Sequence, residues 1–420
     1  MAGAAGQEIS LSRFLLAVFL LSMGPPVWAE ESLTWEQSVQ EASRNNPDLS
    51  AASHSAAAAR ARWQGSHSSL LPQLSASAGS EVGDSSSESH SAGLSLKQNL
   101  FSGGRNRSAI GQAEADWRAT EARLAASKAQ VGSELKSAFA QLLFAQEQLK
   151  LTEGIDQRRE ENVDLIKLRY EAGREHEGSY LRIKAAAAQS RFEVAQAGRA
   201  RRVAQRELGR VIGRRSPDGI SVTGEFGISR AEPVPDVEKA AQQTPAHLEA
   251  EAQAKSAEKG VGIAKSKYLP DVDAVGSAGF SSSKWPPDES EWSGGIQLTF
   301  PFFPGGKTVF DVKAARAEQE KALANLRTVD DKTAADLESR FAALQDAVDR
   351  VAVRREFLAA ADLRAEIARA QYTTGLLSFE DWDLIENDLI DNQKTMLATL
   401  RDAVLAEAVW ERALGKGPIA

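Results

Sequence analysis

Few residues in this 420-residue chain could carry bond-making chemistry. Its five histidines stand at 54, 67, 90, 176 and 247 with no His-x-x-x-His pair, so the helix of a zinc protease is absent. Cysteine is missing altogether, which removes disulfides, thiolate metal ligands, cysteine nucleophiles and lipidated cysteine together. Gly305-Gly306-Lys307-Thr308 imitates the end of a phosphate-binding loop, but the leading glycine of that motif would fall on Pro301. The stretch reads better as a strand-to-helix turn. Acidic pairs such as Glu160-Glu161 and Asp330-Asp331 read as solvated helix faces. These residues give no reason to expect an enzyme, a metal site or a cofactor.

With 50 basic against 58 acidic residues the net charge is -8, and no long basic block is present, so nucleic acid is not an expected partner. The chain is 42% hydrophobic and 26% charged, with a mean hydropathy of -0.35. Its main apolar run, Phe14 to Leu21, is too short to span a bilayer. Preceded by Arg13 and followed by Val27-Trp28-Ala29, it reads as a secretory signal over residues 1–29, with an anchored N-terminus as the competing reading. An exported chain without cysteine must hold its fold by packing and pairing alone.

The sequence repeats itself. Asn46-Pro47-Asp48-Leu49 recurs at Thr244-Pro245-Ala246-His247-Leu248, and Leu71-Pro72-Gln73-Leu74 at Leu269-Pro270-Asp271-Val272. Leu100-Phe101-Ser102-Gly103-Gly104-Arg105 recurs at Phe302-Phe303-Pro304-Gly305-Gly306-Lys307, and Arg169-Tyr170-Glu171-Ala172-Gly173 at Gln371-Tyr372-Thr373-Thr374-Gly375. Ile212-Gly213 recurs at Leu414-Gly415. The offset grows by four residues between Pro270 and Phe303, which places an insertion at the loop Lys284–Asp288.

Each repeat alternates helix and strand. An Ala-rich helical stretch, Leu49 to Leu70, stops at Pro72. The period then becomes two: Leu74, Ala76 and Ala78 share a face, as do Ala92, Leu94, Leu96 and Leu100, with Gln98 breaking the pattern. The Ser-rich 83–87 reads as the loop between them. The second copy offers Val272, Ala274, Ala278 and Phe280, then Trp292, Ile296, Leu298, Phe300 and Phe302. Strands of about 10 residues with weak alternation suit a tilted membrane β-strand. After each Gly-Gly comes a proline-free helical pattern that reaches Ala172 or Thr374, about 100 Å long at ~1.5 Å per residue, which indicates coiled coil. Beyond Gly173 and Gly375 the chain turns, and return helices follow. They are shorter than the arms, so the short helices after Pro47 and Pro245 must extend them end to end.

Four strands cannot close a barrel, and open edges in lipid leave backbone groups unpaired. The chain must therefore share a barrel with copies of itself, and three copies make 12 strands. Trp285, Trp292 and Phe302, near strand ends, would form a membrane aromatic belt; ordinary loop packing is the competing reading.

Leu33-Thr34-Trp35-Glu36-Gln37-Ser38-Val39, Asn45-Asn46-Pro47-Asp48-Leu49, Leu70-Leu71-Pro72-Gln73-Leu74, Leu100–Gly104, Arg169–Gly173 and their second copies, in this order and spacing, resemble the TolC-like outer membrane efflux proteins. The resemblance covers residues 33–415. It implies a mostly α chain with a transmembrane β-barrel part: a long α-helical coiled-coil barrel and four β-strands per chain, the 12-stranded barrel being completed in a homotrimer. The organisation is then a signal at 1–29 and a first repeat at 30–213, with a strand hairpin about 73–101, a long helix about 105–172 and a return helix about 180–212. An equatorial linker follows at 214–238. The second repeat is 239–415, with a hairpin about 271–303 and helices about 307–374 and 379–414, and 416–420 is a C-terminal tail.

The resemblance also implies an exit duct in outer membrane lipid, serving a periplasmic adaptor protein and an inner-membrane transporter. It makes Tyr170, Gly173, Tyr372 and Gly375 adaptor-docking tip turns, although a glycine helix cap explains the glycines equally. The family can carry two lumenal acids six and nine positions after the second glycine. Asp381 matches the first, Leu384 departs from the second, and Asp383 lies one residue earlier. A ring of Asp381 and Asp383 would be a cation-favouring constriction; a helix N-terminus stabilised by acids is the plain alternative. Drug or metal efflux and type I protein secretion both remain open, and an exported coiled-coil spacer or adhesin is the rival from another class.

Overall fold

The computed structural model describes residues 31–82, 88–215, 219–227 and 236–419; the expected signal at 1–29, the loop 83–87 and parts of the 214–238 linker lie outside them. In chain order the elements are β1 (Glu31–Leu33), α1 (Trp35–Asn45), α2 (Pro47–Ser66), β2 (Gln73–Val82), β3 (Glu88–Phe101), α3 (Arg105–Glu171) and α4 (Glu177–Val211). Then come β4 (Ile220–Val222), α5 (Val237–Ala241), α6 (Pro245–Ser266), β5 (Asp271–Ser282), β6 (Glu289–Thr299), α7 (Lys307–Thr374) and α8 (Phe379–Ala413).

The same local chemistry starts the equivalent helices of both repeats. Asn46 accepts from the N–H groups of Asp48 and Leu49 ahead of α2, and Thr244 accepts from His247 ahead of α6. Each cap is followed by proline at the first helical position, where a missing N–H costs nothing. The long arms start after Gly104 and Gly306, both left-handed, and run 67 and 68 residues. Ala115, Ala119, Ala122 and Ala129 of α3 are buried, so small side chains let neighbouring helices approach closely.

The return helices do continue into the short helices. The Asn46 amide donates to the carbonyl of Val211, the last residue of α4, at 2.8 Å, while its own oxygen caps α2. In the second repeat Gly415, just past α8, stands against the ring of Pro245. These junctions lie beside the main apolar core, built from Leu33, Leu135, Phe139, Leu142, Leu208, Val211, Ile220, Val222 and Ile419. That core includes a short parallel pairing of β1 with β4, and α1 leads out of it; the periodicity did not disclose any of these three elements.

Strands β2, β3, β5 and β6 form one antiparallel sheet in the order β2-β3-β5-β6. Its register sets Leu74 opposite Leu96, Leu94 opposite Ala278, and Ile296 opposite Ala274, so the apolar residues of four strands merge into one face. The other face is lined by short polar side chains: Ser75 bonds Ser95 at 2.7 Å and Ser277 bonds Ser293 at 2.8 Å. Gln98 breaks the apolar pattern at the base of the sheet, beside a bulge, where its amide donates to Leu70 O at 2.8 Å. Trp285 lies beyond β5 and packs edge-on against His90, and Phe302 lies beyond β6. Trp292 is the fourth residue of β6, opposite Ala278, on the apolar face near the start of the strand. Among the described residues no helix is long and apolar enough to cross a membrane.

A Cβ at Gly415 would overlap the Pro245 ring, whereas Gly305, also left-handed, has open space around it. Gly305→Ala should cost about 1 kcal/mol of conformational strain. Gly415→Ala should cost clearly more and lower Tm further, read by thermal unfolding of the two purified variants side by side. Equal losses would mean that the α8–α6 junction tolerates separation.

Candidate functional site at the helical tips

Both arms end in the same device. Gly173 and Gly375 have φ of 69° and 82°. The N–H groups of Arg174 and Leu376 reach back to Arg169 O at 2.8 Å and Gln371 O at 2.9 Å, closing a left-handed helix cap. The return helices restart on His176, whose Nδ1 accepts from Ser179 N at 3.2 Å, and on Ser378, whose hydroxyl oxygen accepts from Asp381 N at 3.1 Å.

Between the two turns lies a network that sequence reasoning did not find. Arg169, at the end of α3, donates to the carbonyls of Tyr372 and Thr373 at 3.0 and 3.2 Å, satisfying the free end of α7. Its guanidinium sits 4.4 Å from the centre of the Tyr372 ring, whose other face stacks on Trp382 at 4.6 Å. The Tyr372 hydroxyl donates to Glu175 at 3.0 Å. Burial pushes the Tyr372 phenol above its ordinary value, with the Glu175 carboxylate adding to the rise and Arg169 opposing it, so the group stays a neutral donor.

One to two turns further along, Arg182 Nε donates to Asp383 at 2.9 Å, and Arg159 approaches the other Asp383 oxygen at 3.5 Å. Arg159 also donates to Asn387 at 2.6 Å, and Asn387 donates to the Asp383 carbonyl. Higher still, Lys394 of α8 meets Glu193 of α4 at 2.6 Å. Partial burial works against the Glu193 charge, yet the bonds from Lys394 and Gln189 outweigh it and hold the carboxyl below its ordinary range.

The expected site residues thus separate. Asp381 is exposed, with its carboxylate accepting from the Ser378 hydroxyl at 2.7 Å. Asp383 is buried between two arginines, so its charge is spent on tying α8 to α3 and α4. Tyr170 is exposed and stacks on Tyr180, while Tyr372 is only 1% exposed. The second turn instead presents Leu376, 80% exposed. The missed Arg159 was readable in principle: Thr152, Ile155, Arg159, Asn162 and Ile166 are all buried at spacings of three and four, so the arginine occupies the coiled-coil seam. Among the described residues no cluster could hold a metal ion.

Residues 38–214 and 237–416 match the outer membrane efflux protein family, each span covering one repeat. The chain belongs to that family. It is a channel protein of the outer membrane and not an enzyme. It is 24% identical to the probable outer membrane lipoprotein SilC of Salmonella typhimurium, over 98% of this chain and 92% of that protein. Its fold is that of solved outer membrane channels. The open state of MtrE from Neisseria gonorrhoeae aligns with a TM-score of 0.80 at 20% identity, over 91% of this chain and 89% of that one. A membrane protein from Pseudomonas aeruginosa aligns with a TM-score of 0.80 at 21% identity, over 90% and 93%. Paired strands in this channel set aside the plain coiled-coil spacer.

Replacing Asp383 leaves the channel with a buried, uncompensated Arg159. Breaking a buried pair costs about 3–5 kcal/mol, less here because Arg182 is solvated. Asp383→Asn should speed amide hydrogen exchange in both tip turns at least tenfold and leave the strands protected. Unchanged exchange at 165–185 would show that the ion pair does not hold the tips.

Proposed function

We propose that three copies of this chain close into one duct, a 12-stranded barrel in the outer membrane continued by a periplasmic helical barrel, through which an inner-membrane transporter exports its cargo. The observation that carries the reading is that both edges of one protomer are unfinished. Strands β2 and β6 each have a single neighbour in the sheet. Below the equator α3 packs on α4 and α8, and α8 packs on α7, which leaves α4 and α7 at the edges.

Each edge helix carries exposed apolar residues on one stripe, Leu181 and Phe192 on α4, and Leu363 and Ile367 on α7. The stripes fit by height. Leu181 and Ile367 each stand eight residues from the glycine of their tip turn, and exposed Arg199 and Asp349 each stand twenty-six. An apolar pair near the tip and an opposite-charge pair nearer the equator favour one register between neighbours. Two different edges that meet head to tail close a ring when the rotation allows it.

The adaptor would dock on the exposed parts of the tips: Tyr170, Leu376 and the open backbone at Gly173 and Gly375, where an added Cβ would meet nothing within 4 Å. Tyr372 would act from beneath, holding the second turn in shape. Three copies of Asp381 would form the acidic constriction, with Asp383 contributing to closure by its ion pairs.

Ile367→Asp should convert a heat-modifiable trimer to monomer on semi-native gels, since it buries three uncompensated charges; a stable trimer would rule out the α4–α7 contact. In planar bilayers the trimer should conduct, and Asp381→Asn should reduce cation preference and divalent block. Selectivity equal to the native channel would place the constriction elsewhere.

A further inference from the structure

The base of the sheet and the helix segments next to it carry cations of two kinds. Those on the side continuous with the polar sheet face are paired. Arg105 holds Asp271 through two bonds of 2.8 and 3.1 Å, Lys97 meets Asp273 at 3.1 Å, and Lys267 and Lys307 share Asp311 at 2.8 and 3.0 Å. Helical geometry carries residues two positions away about 200° round to the opposite side. Arg107, two residues from Arg105, and Lys265, two residues from Lys267, therefore face outward, with the apolar side of the sheet. On α7 the residue two past Lys307 is Val309, and Lys313 and Arg316 follow it at i+4 and i+7 on the same stripe.

Arg107, Lys265 and Arg316 are exposed and make no ion pair among the described residues, and Lys313 only overlies the Phe310 ring at 5.5 Å. Above them, toward the sheet, stand Phe302, 89% exposed, and Phe303. A chain of net charge -8 thus leaves cations unpaired on the outer side of the membrane-proximal turns, below an aromatic rim, while pairing those on the inner side.

We propose that Arg107, Lys265, Lys313 and Arg316 form a collar that binds the anionic headgroups of net-negative phospholipids in the periplasmic leaflet. The height fits. Arg107 and Lys265 stand within one turn of their helix ends, and Lys313 and Arg316 lie about 9 and 14 Å along α7 at ~1.5 Å per residue. A headgroup layer is roughly 5–8 Å thick, and long side chains extend the reach back toward it. The surface continues the apolar sheet face, so barrel lipid and headgroup meet one uninterrupted side of the protein. Juxtamembrane cations attract anionic lipid in this way, with a reach set by the Debye length.

The inference rests on the barrel reading above, and the experiment separates the two. Detergent-purified full-length protein titrated with phosphatidylglycerol should gain roughly 4 °C or more in Tm over the same titration with phosphatidylcholine, and 0.5 M NaCl should erase the difference. The variant R107Q/K265Q/K313Q/R316Q should lose most of that gain while conducting normally in phosphatidylcholine bilayers. If it does not assemble, K313Q/R316Q should lose about half. A native protein that conducts but does not distinguish the two lipids, or a variant that keeps the full gain, overturns the collar and leaves the channel standing. The same gain with inorganic phosphate alone would assign the site to free anion and overturn the lipid reading. Loss of conductance in the native protein would instead strike the barrel.

Discussion

A β-strand in a bilayer has to pair both of its edges. Water is absent there, and each unpaired backbone group costs several kcal/mol. In this chain the sheet β2-β3-β5-β6 stops at two bare edges while presenting a continuous apolar face. That single constraint reaches the rest of the molecule. Closure by copies of the same chain, as proposed, would demand that what lies beneath the sheet also meets a copy at a fixed angle and height. Helices of 67 and 68 residues, ending on matched glycines, meet the demand because equal arms keep the edge stripes level along their length. Tying each return helix to a short helix through Asn46 or Gly415 preserves that level past the equator, where neither helix alone is long enough.

Strength is distributed unevenly along this length. At the equator, aliphatic and aromatic side chains from six elements interlock, and buried apolar surface is insensitive to salt and pH. At the tips a smaller apolar core of Ile166, Ile183, Ala368, Tyr372, Phe379 and Trp382 is joined by polar ties between the hairpins: arginine to carbonyl, arginine to carboxylate and phenol to carboxylate. Such directional bonds are lost over a small displacement and can be regained with water, whereas a packed core resists opening as a unit. The low-stability end of a protein is where functional motion is drawn from. With the larger core at the equator and a smaller, polar-tied core at the tips, the tips are the end of the protomer that would loosen first.

Much of this was legible in the sequence because it is local and repeated. Gly-Gly before a proline-free stretch, Asn-Pro or Thr-Pro at a helix start, and alternation from Leu74 to Ala78 are each set by a few consecutive residues, and duplication let one copy check the other. The elements that stayed hidden are non-local. Strand β1 has three residues and exists because Ile220–Val222, almost two hundred positions later, pairs with it. The start of β6 was hidden because Glu289, Ser290 and Glu291, ahead of Trp292, carry no strand signal of their own. Asp383 looked like a solvated acid because its two arginines are contributed by other helices. A charge pattern along one helix cannot reveal a partner across a seam.

The duplicated tip shows how far a repeat constrains function. Tyr170 and Tyr372 occupy the same place in the same Tyr-x-x-Gly turn, yet one is exposed and the other enclosed. The cause lies outside the turn. Return helix α8 supplies Trp382 as a stacking surface, and α3 supplies Arg169 to the far side of the Tyr372 ring. Return helix α4 supplies Tyr180, whose parallel stack with Tyr170 leaves an edge in solvent. Arg169 precedes Tyr170 in the first copy, while Gln371 precedes Tyr372 in the second. The first arm therefore donates the cation and the second receives it, so the latch runs one way between two hairpins of common design. Duplication set the reach of the arms; Arg169 against Gln371 sets which way the latch runs, and the Tyr170 ring keeps a side open to solvent.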